Sequence, residues 1–144
     1  MGLARNLWTT WQTRRMRRAI ARRLDREPVA VAQILLLFRM MLADGVVRDP
    51  EMQVFQSICS EHFGIRPAEM MALHAYLEKR QGKADSEVRD RLLKSMSMEE
   101  RLRLIGLMGR IAGSCTSPHE TSASDERFIR ETAVALGVSR MDAS

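Results

Sequence analysis

Residue types that bind or react are sparse in this chain, and three groups of them stand at spacings that chemistry uses. The first is the stretch ADGVVRDPE, residues 43–51, in which an Asp-Gly is followed by a Glu six positions after the Gly. A calcium loop of the EF-hand type has Gly at position 6 and a bidentate Glu at position 12. In that register Asp44 takes position 5, but Met40 and Leu42 take positions 1 and 3. A thioether and an alkyl chain supply no hard oxygen, so the EF-hand reading fails. Two readings remain. In one, Gly45 closes a helix at positive φ, and Asp49-Pro50-Glu51 open the next helix as N-cap, first-turn proline and first-turn acid. In the other, Asp44, Asp49 and Glu51 make a weak divalent-metal site of different geometry. The first accounts for every residue. No other cofactor is expected.

The second group is Cys59 with His62 and Cys115 with His119, spaced three and four apart. These are zinc-ligand types at usable intervals. Against that, Cys59 falls on an apolar stripe with Phe55 and Phe63, and the second pair sits in a polar, turn-rich segment with no rigid frame. His74 lies on an apolar helix face, as a core or boundary histidine would. No nucleophile–base–orienter set, G-x-S-x-G turn, phosphate-binding glycine loop or H-E-x-x-H is found, so the chain is expected not to be an enzyme.

The third group is at the N-terminus. Residues 1–26 hold eight Arg and one Asp, a net of +7, whereas residues 27–144 carry a net of −2. The pI of 10.0 therefore belongs to a basic arm and not to the body. Leu3, Leu7 and Trp11 form one stripe at four-residue spacing, with Trp8 beside it. Arg14, Arg18 and Arg22 form another, with Arg15 alongside, and Met16, Ile20 and Leu24 line the opposite face. A bend near Gln12-Thr13 would let the Trp/Leu patch enter a bilayer interface while the arginines meet anionic head groups. Other uses for the arm are packing of its Met16-Ile20-Leu24 face on the bundle, nucleic-acid binding through the Arg stripe, and an organellar transit peptide.

The elements that must position these groups are helices. No stretch shows sustained period-2 alternation, while apolar residues recur at helical spacing between frequent start and stop signals. Pro28 opens a helix running to about Ala43. Another runs from Asp49 to Gly64, and a third from Pro67 to near Gly82. Ser86 begins a short helix through Met96. Ser97 and Glu100 form a capping box for the next. A polar loop, residues 113–124, precedes a last helix that Ser124-Asp125-Glu126 cap and Gly137 closes. Of eleven methionines, Met40, Met41, Met70, Met71, Met96, Met98 and Met108 fall on or near apolar stripes, as core filler or as the lining of a partner groove. The expectation is an all-α, single bundle of about six or seven helices on residues 27–144, with the basic arm on 1–26. The most apolar run, Val29 to Leu42, is broken by Gln33 and Arg39 and is too short to span a membrane. No apolar signal region appears at the N-terminus. Two cysteines in 144 residues fit free thiols in a reducing cytosol.

Two helix–loop–helix copies emerge. Ile34 to Ile65 contains an apolar helix, ADG, an acid, an apolar helix and Phe63-Gly64-Ile65. Leu104 to Val138 contains an apolar helix ending Ile111-Ala112-Gly113, a longer loop, Asp125-Glu126, an apolar helix and Leu136-Gly137-Val138. Two such units can close over one core.

These residues resemble the TerB-like domains found in tellurite-resistance TerB proteins and in the N-terminal part of DjlA-type membrane co-chaperones. The resemblance rests on Leu37-Phe38-Arg39-Met40-Met41-Leu42-Ala43-Asp44-Gly45, then Glu51, then Phe63-Gly64-Ile65, echoed by Leu136-Gly137-Val138 after Glu126. It covers about residues 28–141. It implies an all-helical bundle without known catalytic activity, linked to tellurite or general stress resistance and often found near the inner membrane. It also implies acidic helix junctions that have been suggested to bind metal, here Asp44 and Glu51 in the first half and Asp125 or Glu126 in the second. The second half departs from the pattern: Ala112-Gly113-Ser114-Cys115 stand where an Asp-Gly belongs. There is no J-domain, so a co-chaperone role does not carry over. The expected protein is a cytoplasmic scaffold, peripheral at the inner membrane, with a protein partner. The residues expected to meet an anionic surface are Trp8, Trp11, Arg14, Arg15, Arg18 and Arg22.

Overall fold

The computed structural model describes residues 2–43, 45, 47–114 and 123–138, and the side chains of 10–43, 45, 47–114 and 125–138. Seven α-helices and no strand occur among the described residues: α1 (Gly2–Asp25), α2 (Pro28–Leu42), α3 (Asp49–Phe63), α4 (Met70–Glu78), α5 (Asp85–Ser95), α6 (Met98–Ala112) and α7 (Ala123–Ala135).

α2 is the axis. Every residue from Ala32 to Met41 is buried, and α2 packs on α1, α3, α5, α6 and α7. A helix that is apolar nearly all round must be surrounded. The two helix–loop–helix units are therefore α2–α3 and α6–α7, closed on each other through contacts of α6 with both α2 and α3. Phe55, Ile58, Leu104, Met108, Ile111 and Phe128 fill one core between them. The two units end alike. Gly64 and Gly137 both have positive φ, at 64° and 68°, and the residues after them, Ile65 and Val138, turn into the core. Their backbone N–H groups reach back to the carbonyls of Cys59 and Ala133 at 3.0 and 2.8 Å, satisfying groups that a helix end leaves open.

Three local expectations are corrected. α3 is capped one residue earlier than proposed. Arg48 is the extended N-cap residue, and Asp49 is the first helical residue and makes no capping bond. The Arg48 carbonyl accepts the first intrahelical bond, from Met52 N–H at 3.0 Å. Pro67 opens only a 3₁₀ turn, Pro67–Glu69, and α4 ends at Glu78, well before Gly82. Met71 and Met98 are exposed rather than core filler, although Met40, Met41, Met70, Met96 and Met108 are buried. Met71 lies opposite the buried stripe of α4, and Met98 is the first residue of α6. The capping box of α6 is present, with Glu100 N–H donating to Ser97 Oγ at 3.2 Å and Ser97 N–H donating to Glu100 Oε1 at 3.3 Å.

The largest correction concerns α1. It is one helix of 24 residues, uninterrupted at Gln12-Thr13. Gln and Thr mid-helix cost only a few tenths of a kcal/mol (roughly 0.7 at most) in propensity, and neither breaks the backbone ladder. Ile20 and Leu24 are fully buried, and Met16 is partly buried against the core. α1 packs on α4 and α2. Its C-terminus is latched: Tyr76 O–H donates to Asp25 Oδ1 at 2.7 Å, and Arg80 Nη2 donates to the same oxygen at 2.9 Å. The Arg80 guanidinium also lies over the Tyr76 ring, 3.5 Å from its centroid.

Candidate functional site

On a continuous helix, burial of Met16, Ile20 and Leu24 forces the positions half a turn away outward. Arg14, Arg15, Arg18 and Arg22 are all exposed. Trp11 follows the same stripe at 52% exposure, with the Arg15 guanidinium 5.4 Å from its ring centroid. Thr10, Trp11 and Gln12 are exposed together. Three successive residues cover most of the helix circumference, so this turn presents much of itself to solvent. Five of the six residues expected to meet an anionic surface thus share one open face. The sixth, Trp8, is in α1, but its side chain lies outside the described residues. Because the helix is continuous, the Trp11 stripe runs directly into the Arg stripe.

The acidic group is less well assembled. Glu51 is 1% exposed, with Arg48 Nη1 at 3.5 Å, whereas Asp49 is exposed. Two positions along a helix are about 200° apart, so these carboxylates point away from each other. Asp44 lies outside the described residues. No group of three potential metal ligands occurs among the described residues. In the second unit Asp125 is buried at 2% while Glu126 is exposed. Each unit therefore places one buried acid at the third residue of its second helix. Sequence reasoning had Glu51 but left Asp125 and Glu126 undecided. The burial of Phe128, three residues past Asp125, is the periodicity that separates them.

Cys59 is fully buried, and burial pushes its thiol up to about 12. His62 is exposed, so this pair does not present two ligands to one point. Cys115 and His119 lie outside the described residues. The His74 ring sits 5.5 Å from Phe38 and 6.3 Å from Phe55. Burial lowers its pKa from 6.5, with Glu78 opposing.

Sequence reasoning missed three arginines that clasp the bundle. Arg39 of α2, read as an interruption of an apolar run, donates to Asp85 at 2.8 Å, to Gln81 Oε1 at 3.3 Å and to the Arg80 carbonyl at 3.2 Å. Arg89 of α5 lies 4.8 Å from the Phe128 ring centroid and donates to Thr132 Oγ1 at 3.0 Å, tying α5 to α7. Arg101 donates to the carbonyls of Leu93 and Leu136. An arginine within an apolar stripe was the available signal: a cation is buried only where acceptors await it. Among the described residues no helix is long and apolar enough to cross a membrane.

The family model described as tellurite resistance protein TerB matches residues 30–144. No curated protein and no solved structure gives a significant match.

Proposed function

The chain belongs to the TerB family, and from that premise we propose that it is a non-catalytic accessory of tellurite or stress resistance, a cytoplasmic scaffold held at an anionic membrane surface by α1. The observation that carries this reading is the division of α1 into two faces. Its Met16-Ile20-Leu24 side is fixed to the bundle, while Trp11, Arg14, Arg15, Arg18 and Arg22 are open. Each arginine near an anionic surface contributes about 1 kcal/mol. Trp11 can place its ring among acyl carbons and its N–H among head groups. The surface left outward by this attachment is the body of the bundle, which we assign to a protein partner.

The test is co-sedimentation of the full chain with anionic and neutral vesicles. Replacing Arg14, Arg15, Arg18 and Arg22 by Gln should lower binding to anionic vesicles by two orders of magnitude or more (four residues at ~1 kcal/mol each). Trp11→Ser should weaken binding less and make the remainder more sensitive to salt. Equal pelleting of the wild type with neutral vesicles, or none with either, ends this reading. Duplex DNA binding with a steep salt slope that survives Trp11→Ser would transfer the same arginines to nucleic acid.

One observation favours a second reading, a divalent-metal module. Glu51 and Asp125 are buried acids at matching places in the two units. The expected outcome is a rise in melting temperature with millimolar calcium or magnesium that Glu51→Ala abolishes and Asp49→Ala, on the exposed side, does not. No response to either ion would exclude this module.

A further inference from the structure

We propose that the cleft enclosed by α1, α2, α3 and α6 binds the phosphate of an anionic lipid head group. This deepens the membrane reading and rests on it. The cleft has a volume of about 320 Å³, and its polar lining is Arg23, Glu27, Gln33, His62 and Arg103. Leu24, Ala30, Phe63 and Leu107 make apolar walls between them. A neighbouring open hollow is bordered by Arg15, Arg22, Arg23, Arg26 and Glu27. Arg23 and Glu27 belong to both. The cationic face of α1 therefore continues around the helix into a concave end-point.

Gln33 decides the chemistry. It is 7% exposed, on the otherwise apolar axis helix α2, and it lines this cleft. Its side-chain amide has no hydrogen-bond partner among the described residues, and it is not one of the residues whose interactions reach beyond them. Its nitrogen and oxygen are not fully enclosed: they open onto the cleft, where the amide can donate to a ligand in place of solvent. Arg103, exposed on α6, makes no ion pair among the described residues and lines the same cleft. Arg23 is a fixed charge there. It donates to the carbonyls of Phe63 and Gly64 at 2.6 and 2.9 Å, neutralising the negative end of α3 that would otherwise repel an anion. Glu27 stands 3.8 Å from Arg23 Nε and is half exposed, so it can turn outward.

Two guanidinium groups and one amide donor around a small opening match the oxygens of a phosphate. The apolar walls suit the glycerol carbons attached to it. A carboxylate or sulfate would use the same donors, but only a phospholipid brings its anion to the surface on which α1 lies.

The experiment is titration of the ¹⁵N-labelled full chain with dihexanoyl phosphatidylglycerol below its micelle concentration, with dihexanoyl phosphatidylcholine, and with inorganic phosphate. The Gln33 side-chain amide and the Gly64 backbone amide are followed. Phosphatidylglycerol should shift both saturably. Arg103→Gln and, read at Gly64, Gln33→Leu should each weaken it roughly tenfold or more, the loss of one charge-assisted or buried hydrogen bond. Both variants should melt as the wild type does or higher. Equal shifts with phosphatidylcholine, or none with any probe, overturn the proposal. Inorganic phosphate binding as tightly as phosphatidylglycerol overturns the lipid source and leaves a soluble phosphate. Vesicle co-sedimentation separates the two readings. Pelleting with anionic vesicles while Gln33 and Gly64 stay silent keeps the α1 attachment and removes the cleft. Shifts with phosphate but no pelleting remove the attachment.

Discussion

His74 shows how much a single side chain's surroundings decide. Its ring fills a place between Phe38 and Phe55, and its Nε2 is buried without a hydrogen-bond partner. Burial disfavours the imidazolium, so the folded-state pKa lies below 6.5, against a modest upward pull from Glu78. The unfolded chain then binds a proton at a higher pH than the folded chain does. The stability this histidine contributes is whole above about pH 6.5 and is lost as pH falls from there toward the folded value. Urea unfolding of the wild type should show a falling midpoint between pH 7.5 and 5.5. His74→Leu should flatten that fall. Parallel slopes with and without His74 would mean that other titratable groups carry the pH dependence. The apolar placement of this histidine was legible from its neighbours in sequence. Its packing between two phenylalanines was not, because Phe38 and Phe55 come from other helices.

At the scale of elements, helix ends were the most legible feature and helix starts less so. Glycine after an apolar run carries a backbone requirement of its own, as Gly45, Gly64 and Gly137 show by their positive φ. A start can shift by one residue because any extended residue can serve as cap, as Arg48 does in place of Asp49. The two glycines of the first unit make a test of what surrounds them. At Gly45, with φ of 80°, an added Cβ meets nothing within 4 Å. Gly45→Ala should cost only the left-handed backbone penalty, about 1–2 kcal/mol. At Gly64, with φ of 64°, the Cβ would stand 2.9 Å from Arg23 Nη2. Gly64→Ala should therefore cost more, by displacing the guanidinium from the carbonyls it holds. In an Arg23→Ala background the excess should vanish and the two glycine substitutions should cost alike. Denaturant titration of the double-mutant cycle measures the coupling. An unchanged excess without Arg23 would place the strain in the backbone alone. The clasping arginines were the opposite case. Arg39 was visible as an oddity in an apolar run, but its acceptors, Asp85, Gln81 and the Arg80 carbonyl, lie more than forty residues away.

For the whole molecule, the question is whether α1 is an appendage or a part of the bundle. Charge alone separates residues 1–26 from the rest, and that asymmetry is what the sequence displayed most clearly. Burial runs across the same boundary, since Ile20 and Leu24 are core residues and Asp25 is bonded to Tyr76 and Arg80. Composition could not reveal this, because a stripe of three apolar residues among eight arginines serves a membrane interface as well as a core. The two halves of α1 should therefore fail in different ways. Deleting residues 1–26 uncovers the sides of α2 and α4 that Ile20 and Leu24 cover. Burial of each such side chain is worth about 1.5–3 kcal/mol, against a whole-domain stability of roughly 5–15 kcal/mol. The truncated protein should melt well below the full chain, and its failure to bind vesicles would then say nothing about the arginines. Replacing Arg14, Arg15, Arg18 and Arg22 by Gln alters only the open face. The melting temperature should stay within a few degrees of the wild type while vesicle binding falls. Thermal melts of the three proteins, run beside co-sedimentation, distinguish the roles. If the truncated protein melts with the full chain, α1 is an appendage and its contacts with α2 and α4 contribute nothing measurable. If the arginine replacements also lower the melting temperature, the cationic face is held by the bundle and is not free to meet a surface.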